Sequence, residues 1–231
     1  MCGRFAFQSP HETTAELFGV EAGFPAFPPR WNVAPGTDIA VVRTAGDGRR
    51  EIVALRWGLV PSWAKERSIG QRLVNARAET LAEKPAFRAA FRRRRCLIPA
   101  DGYYEWRLVT GGKQPYYVQA AAGTLLALAG LWERWVDPAT GEALETCVIL
   151  TREAVGVVAE IHGRMPVIVP PESYANWLDP AADSAATLAP LLGTSAGMDV
   201  EAHPVSRRVN SPRNEGVELT QTVAAEASGG A

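Results

Sequence analysis

The sequence predicts an α+β fold, on three observations. Helical and extended patterns come in mixed order, and several successive extended runs are joined by loops too short for helical crossovers. At 231 residues the chain also lies in the range where one β-rich domain can close its own core. The first element expected is a helix over 9–18, with Ser9 as cap, Pro10 at the first helical position, Glu12 completing a capping box and Gly19 as stop. From 24 to 36 the prolines Pro25, Pro28, Pro29 and Pro35 forbid regular structure, so this stretch should wrap the surface or line a groove. Extended runs at 39–43 and 51–56, joined across Ala45, Gly46, Asp47 and Gly48, predict a hairpin. Residues 76–94 have helical character, broken at Pro85, with Phe87, Ala90 and Phe91 forming one apolar face. Strands are expected at 96–98, 102–108, 115–119, 124–132 and 146–150. Helices then return at 152–161, 172–178 and 184–192, with a strand at 165–169. The Ala- and Gly-rich tail, 224–231, is expected to be disordered, which leaves 1–223 as a single domain.

Composition narrows the function classes. No apolar run approaches the roughly 20 residues of a bilayer span, and no basic region followed by an apolar stretch marks a secretory signal, so a cytoplasmic location is expected. Cys2, Cys96 and Cys147 are too few and too far apart for a disulfide framework or a zinc pair. No histidine pair has metal-ligand spacing, so neither a metal nor another cofactor is expected. A net charge of −1 argues against holding nucleic acid by bulk electrostatics. Two local clusters, Arg88 with Arg92 to Arg95, and Arg207, Arg208 with Arg213, read either as solvated faces or as phosphate contacts.

Five places could carry chemistry. Cys2 stands directly behind Met1, and removal of Met1 would leave an amine and a thiol on adjacent carbons. Such a pair can close a five-membered thiazolidine on an aldehyde. The α-amine titrates near ~7.7 to 8.0 against ~10.4 for lysine, so part of it is nucleophilic at neutral pH. The bland alternative is a mobile, inert terminus, and the alternation from Gly3 to Phe7 opposes it by tying the terminus into a sheet. Asn75, after the apolar pair Leu73 and Val74, reads as a helix cap or as an amide that holds a sugar hydroxyl or an aldehyde oxygen. Glu105, in an aromatic strand with Tyr103, Tyr104 and Trp106, is either an exposed tooth or a desolvated acid able to pass protons near neutrality. His162, before Gly163, either meets a helix C-terminus capped by that glycine or serves as general acid or base. The loop 57–63 (WGLVPSW) either caps the core or offers Trp63 to an unpaired base.

Taken together, the stretches 2–5 (CGRF), 31–35 (WNVAP), 57–63 (WGLVPSW), 75–80 (NARAET), 96–106 (CLIPADGYYEW), 161–166 (IHGRMP) and 205–216 (VSRRVNSPRNEG) resemble the SOS response-associated peptidase (SRAP) family of abasic-site processing proteins. The resemblance spans nearly the whole chain in one order. It implies a compact domain with a mainly antiparallel, barrel-like β core and short peripheral helices. It implies that Cys2, Asn75, Glu105 and His162 meet in one pocket, where mature Cys2 crosslinks the aldehyde of a ring-opened abasic sugar through a Schiff base and a thiazolidine. Asn75 would then orient the sugar or the amine, Glu105 would shuttle protons, and His162 would assist at the deoxyribose and the imine. Arg4, Arg77, Trp63, Asn32, Pro35, Arg164 and Ser206 are the DNA contacts it implies. The partner is single-stranded DNA with abasic sites, at single- to double-strand junctions among other places, met by a monomer without cofactors and, in a bacterium, at the nucleoid. One departure is Ala64, where some relatives carry a second aromatic after Trp63. Competing readings are a cysteine peptidase, acting on its own N-terminus or beyond, and a noncatalytic single-strand binding module.

Overall fold

The computed structural model describes residues 2–21, 25–182, 185–193 and 199–224. Among these, the elements in chain order are β1 (Phe5–Phe7), α1 (His11–Phe18), β2 (Arg30–Val33), β3 (Asp38–Thr44), β4 (Arg50–Trp57), β5 (Asn75–Arg77), α2 (Arg88–Arg93), β6 (Arg95–Ala100), β7 (Gly102–Val109), β8 (Gly112–Ala120), β9 (Leu126–Val136), β10 (Ala143–Glu153), β11 (Arg164–Pro166), α3 (Tyr174–Leu178), α4 (Ala185–Gly193) and β12 (Val200–Pro204). The hairpin β3–β4 and the long strands β9 and β10 close a five-stranded barrel in the order β10-β4-β3-β6-β9, with β9 pairing back onto β10. The β10 pairings with β4 and β5 are parallel and the others are antiparallel. A second antiparallel sheet, β12-β8-β7-β1-β2, lies against the barrel. The fold is therefore α+β with a mainly antiparallel, barrel-like core.

Small residues let the barrel close. Gly130 on β9 faces Cys96 of β6 and neighbours β10, and a Cβ there would lie 2.9 Å from Cys96 Sγ, 3.0 Å from Val148 O and against Ile98 Cδ1. Alternation on β7 divides its side chains between two cores. Tyr103 belongs to the main core shared with the barrel, whereas Tyr104 packs with Tyr117, Ala6, Val205, Val209 and Leu219 on the outer face. Glu105, two residues after Tyr103, therefore points toward the barrel.

Several expectations need correction. Ser9 does not cap α1; its hydroxyl donates to Asp101 Oδ1 at 2.5 Å, and the helix starts after Pro10 without a side-chain cap. Gly19 does end it, at φ 62°. The proline-rich stretch holds a strand, β2, because Arg30, Trp31, Asn32 and Val33 form a proline-free run between Pro29 and Pro35 and pair with β1. The helical pattern at 76–94 survives only in α2, since β10 captures 75–77 as a strand and a 3₁₀ turn follows at Ala78–Thr80. Likewise Arg152 and Glu153 finish β10, leaving a 3₁₀ helix at Gly156–Glu160. Gly163 is not left-handed, so it is not the expected cap. Strand β12, unforeseen in the sequence, pairs with β8 over five residues, Val200 to Pro204. The arginine cluster before β6 also divides. Arg88, Arg92 and Arg93 are exposed, Arg94 pairs with Glu133 at 2.6 Å, and Arg95 is buried. The Arg95 guanidinium donates to the carbonyls of Trp177, Phe91, Arg92 and Asp179. It ties α2 and α3 to the barrel and is not a free phosphate contact. No described helix is long and apolar enough to cross a membrane.

Candidate active site

The N-terminal strand carries Cys2 to the seam between sheet and barrel. Phe5 pairs with Val33 of β2 on one side and with Tyr103 of β7 on the other. The Arg4 guanidinium anchors this strand through Asn32 Oδ1 at 2.8 Å and the carbonyls of Val209 at 2.9 Å and Asn210 at 3.3 Å. Asn32 is fully buried, and its amide nitrogen donates to the carbonyls of Val209, Ser211 and Asn214. Asn32 is thus no direct contact for a DNA strand and acts by fixing Arg4. Glu215 completes the clamp by accepting from the backbone N–H groups of Trp31 at 2.8 Å and Asn32 at 3.1 Å. These bonds oppose the alternative of a mobile terminus, and Cys2 is buried.

Asn75 reaches the same place from β5, whose neighbour β10 holds it in strand register opposite Ile149. It is not a cap. Its Nδ2 donates to Cys2 O at 2.8 Å, and its Oδ1 is buried without a partner among the described residues. Glu105 arrives from β7 and is 1% exposed, which excludes the exposed-tooth reading. Burial holds its carboxyl above the usual carboxylate range, while the His162 imidazole pulls part of that rise back. His162 lies at the end of the 3₁₀ helix, with Nδ1 4.0 Å from Glu105 Oε2. That nitrogen is 2.9 Å from Arg164 N and 3.1 Å from Arg164 O. The shorter contact makes Nδ1 an acceptor, which assigns the remaining proton of a neutral ring to Nε2.

These environments order the nucleophiles. Burial, and then the nearby Glu105 carboxylate, push the Cys2 thiol well above its ordinary range. The sulfur is therefore a thiol at neutral pH, with Arg4 O its acceptor at 4.0 Å. An amine freed at this position would be the first nucleophile, and the thiol the second.

The four residues expected to be catalytic thus come together. The expected DNA contacts scatter around them. Arg77 is exposed on β5, and Trp63 is 59% exposed on its loop. Pro35 lines a cavity of about 540 Å³ with Arg56 and Arg67, and Ser206 Oγ accepts from Arg208 N at 3.3 Å as a 3₁₀ cap. Arg164 is engaged by Glu79 in a two-bond pair at 2.6 and 2.9 Å and by Thr151 O at 2.6 Å. Tyr103, fully buried, shares the barrel-facing side of β7 with Glu105.

Several known proteins resemble this chain over most of its length. The chain is 41% identical over 225 residues to the abasic site processing protein YoqW of Bacillus subtilis, covering 96% of this chain and the whole of that one. It is 30% identical to YedK of Escherichia coli, an abasic site processing protein, over 96% of this chain and all of that protein. Against HMCES of Xenopus tropicalis, also an abasic site processing protein, it is 31% identical over 81% of this chain and 64% of the relative. A crystal structure of a Bacteroides thetaiotaomicron protein superposes with TM-score 0.85 at 26% identity, over 96% of this chain and all of that one. The family model for the SOS response associated peptidase (SRAP) matches residues 1–212, and the chain belongs to that family.

Proposed function

We propose that this protein processes abasic sites in single-stranded DNA and captures their open-chain aldehyde at Cys2 after Met1 is removed. The observation that carries the reading is the burial of Cys2 beside Asn75 and a protonatable Glu105, with His162 at the mouth. Relatives that align over 96% of this chain are named abasic site processing proteins.

The freed Cys2 amine adds to the sugar aldehyde carbon and gives a carbinolamine. Glu105 in its acid form protonates the departing hydroxyl, water leaves, and a protonated imine remains beside the Glu105 carboxylate. The thiol sulfur then adds to the imine carbon, the C=N electron pair settles on nitrogen, and the thiol proton returns the Glu105 carboxylate to its acid form. The product is a thiazolidine, and the net reaction of aldehyde, amine and thiol releases one water. A raised carboxyl pKa suits this double duty, because the group must both give and take a proton near neutral pH. His162 Nε2–H assists at the deoxyribose, and Asn75 holds the Cys2 backbone so that amine and thiol face one carbon. Arg77, Trp63 and Pro35 contact the strand around the lesion, Ser206 lies at its edge, Arg4 contributes from the pocket rim, and Arg164 joins by exchanging Glu79 for phosphate. Covalent capture needs only a transient encounter, which a chain of net charge −1 can sustain. The protein works as a monomer.

A cysteine peptidase is less well supported, since its nucleophile is a thiolate paired with histidine, whereas the Cys2 thiol is pushed up by burial. Intact mass of processed protein mixed with an abasic oligonucleotide tests the proposal. A denaturant-stable adduct lighter by one water than the sum of its parts is expected, and Cys2→Ala should lose it. An adduct retained by Cys2→Ala would sink the mechanism.

A further inference from the structure

Tyr103 is fully buried, and its hydroxyl has no hydrogen-bond partner among the described residues. An unpaired phenol in a protein interior is costly and uncommon, and a catalytic role toward a bound ligand is one physical reason for it. Its location agrees. Tyr103 and Glu105 share the barrel-facing side of β7, and the pairing of Tyr103 with Phe5 sets the ring beside the strand that carries Cys2. Burial raises the phenol well above its ordinary range, and Cys2 and Glu105 add to the rise, so both lie within electrostatic reach and the hydroxyl stays a donor. Asn75 Oδ1, an acceptor, is another buried polar atom at this site without a hydrogen-bond partner among the described residues. Asn75 holds the Cys2 carbonyl and Tyr103 lies within electrostatic reach of Cys2, so a buried donor and a buried acceptor accompany one nucleophile.

We propose that the Tyr103 hydroxyl is a further catalytic group, donating a hydrogen bond to the aldehyde oxygen of the substrate and to the carbinolamine hydroxyl which that oxygen becomes. This rests on the aldehyde-capture reading. The donor polarises the carbonyl while the amine adds, and it holds the oxygen in place while Glu105 protonates it. Tyr103 itself gains and loses no proton in the step.

Tyr103→Phe removes only this hydroxyl from an apolar position. Processed wild-type and variant protein are mixed with an abasic oligonucleotide, and the imine is trapped with borohydride at successive short times. Binding to the undamaged oligonucleotide and thermal unfolding are measured in parallel. Imine formation in the variant should slow about tenfold or more, with undamaged-strand affinity unchanged and a melting temperature equal to or above that of wild type. A trapping rate within twofold of wild type would overturn the role of Tyr103 alone. A clear fall in melting temperature would overturn it too, by revealing a structural partner for the hydroxyl. If wild type traps nothing, the capture reading itself fails, and the Tyr103 proposal with it.

Discussion

Glu105→Gln should make the protein more stable and nearly inactive. Burial raises the folded-state pKa of this carboxyl above the unfolded value, the His162 attraction notwithstanding. Between those two values the folded state binds more protons than the unfolded one, so the stability of the wild type falls as pH rises through that window. Below the unfolded pKa, near the ordinary 4.5, the penalty vanishes. Each unit of elevation corresponds to about 1.4 kcal/mol, and about 1 kcal/mol moves the melting temperature of a chain this size by roughly 2 to 4 °C. Gln keeps the shape and carries no charge, so it escapes the penalty. At pH 7 the variant should therefore melt about 3 to 6 °C above wild type per unit of elevation, and the gap should close on acidification toward pH 4.5. Thermal unfolding by circular dichroism from pH 4.5 to 8 measures this directly. Adduct formation by the same variant should drop by about 10² to 10⁴. A variant that melts at or below wild type at pH 7, or a gap that does not shrink with acid, would refute the argument that burial dominates this carboxyl.

Two further substitutions separate surface from scaffold. Trp63→Ala should leave the melting temperature unchanged, because the ring is 59% exposed, while single-strand affinity measured by fluorescence anisotropy falls by about 1 to 3 kcal/mol, the worth of one stacked base. Arg95→Ala should cost about 3 to 5 kcal/mol in urea unfolding, because the buried guanidinium donates to four carbonyls that would lose their partner; a loss under 1 kcal/mol would mean that water replaces it.

The sequence by itself determined the α+β class, the β3–β4 hairpin and the order of the main strands, because alternation and turn residues act over a few neighbours. It also singled out Cys2, Asn75, Glu105 and His162, since their chemistry and their motifs are local properties. Only the tertiary structure decided what those side chains are. Asn75 looked like a cap until β10 captured it as a strand, and Glu105 looked exposed until the face of β7 that carries it was seen to pack on the barrel. The arginine run looked like one basic patch, yet Arg95 turns inward to carbonyls from α2 and α3. Burial and pairing depend on partners that are distant in sequence, as Asn75 and Cys2 are, 73 residues apart and joined by a single 2.8 Å hydrogen bond. Those same long-range contacts set the protonation of Cys2 and Glu105, because desolvation is a property of the assembled interior rather than of any segment of chain.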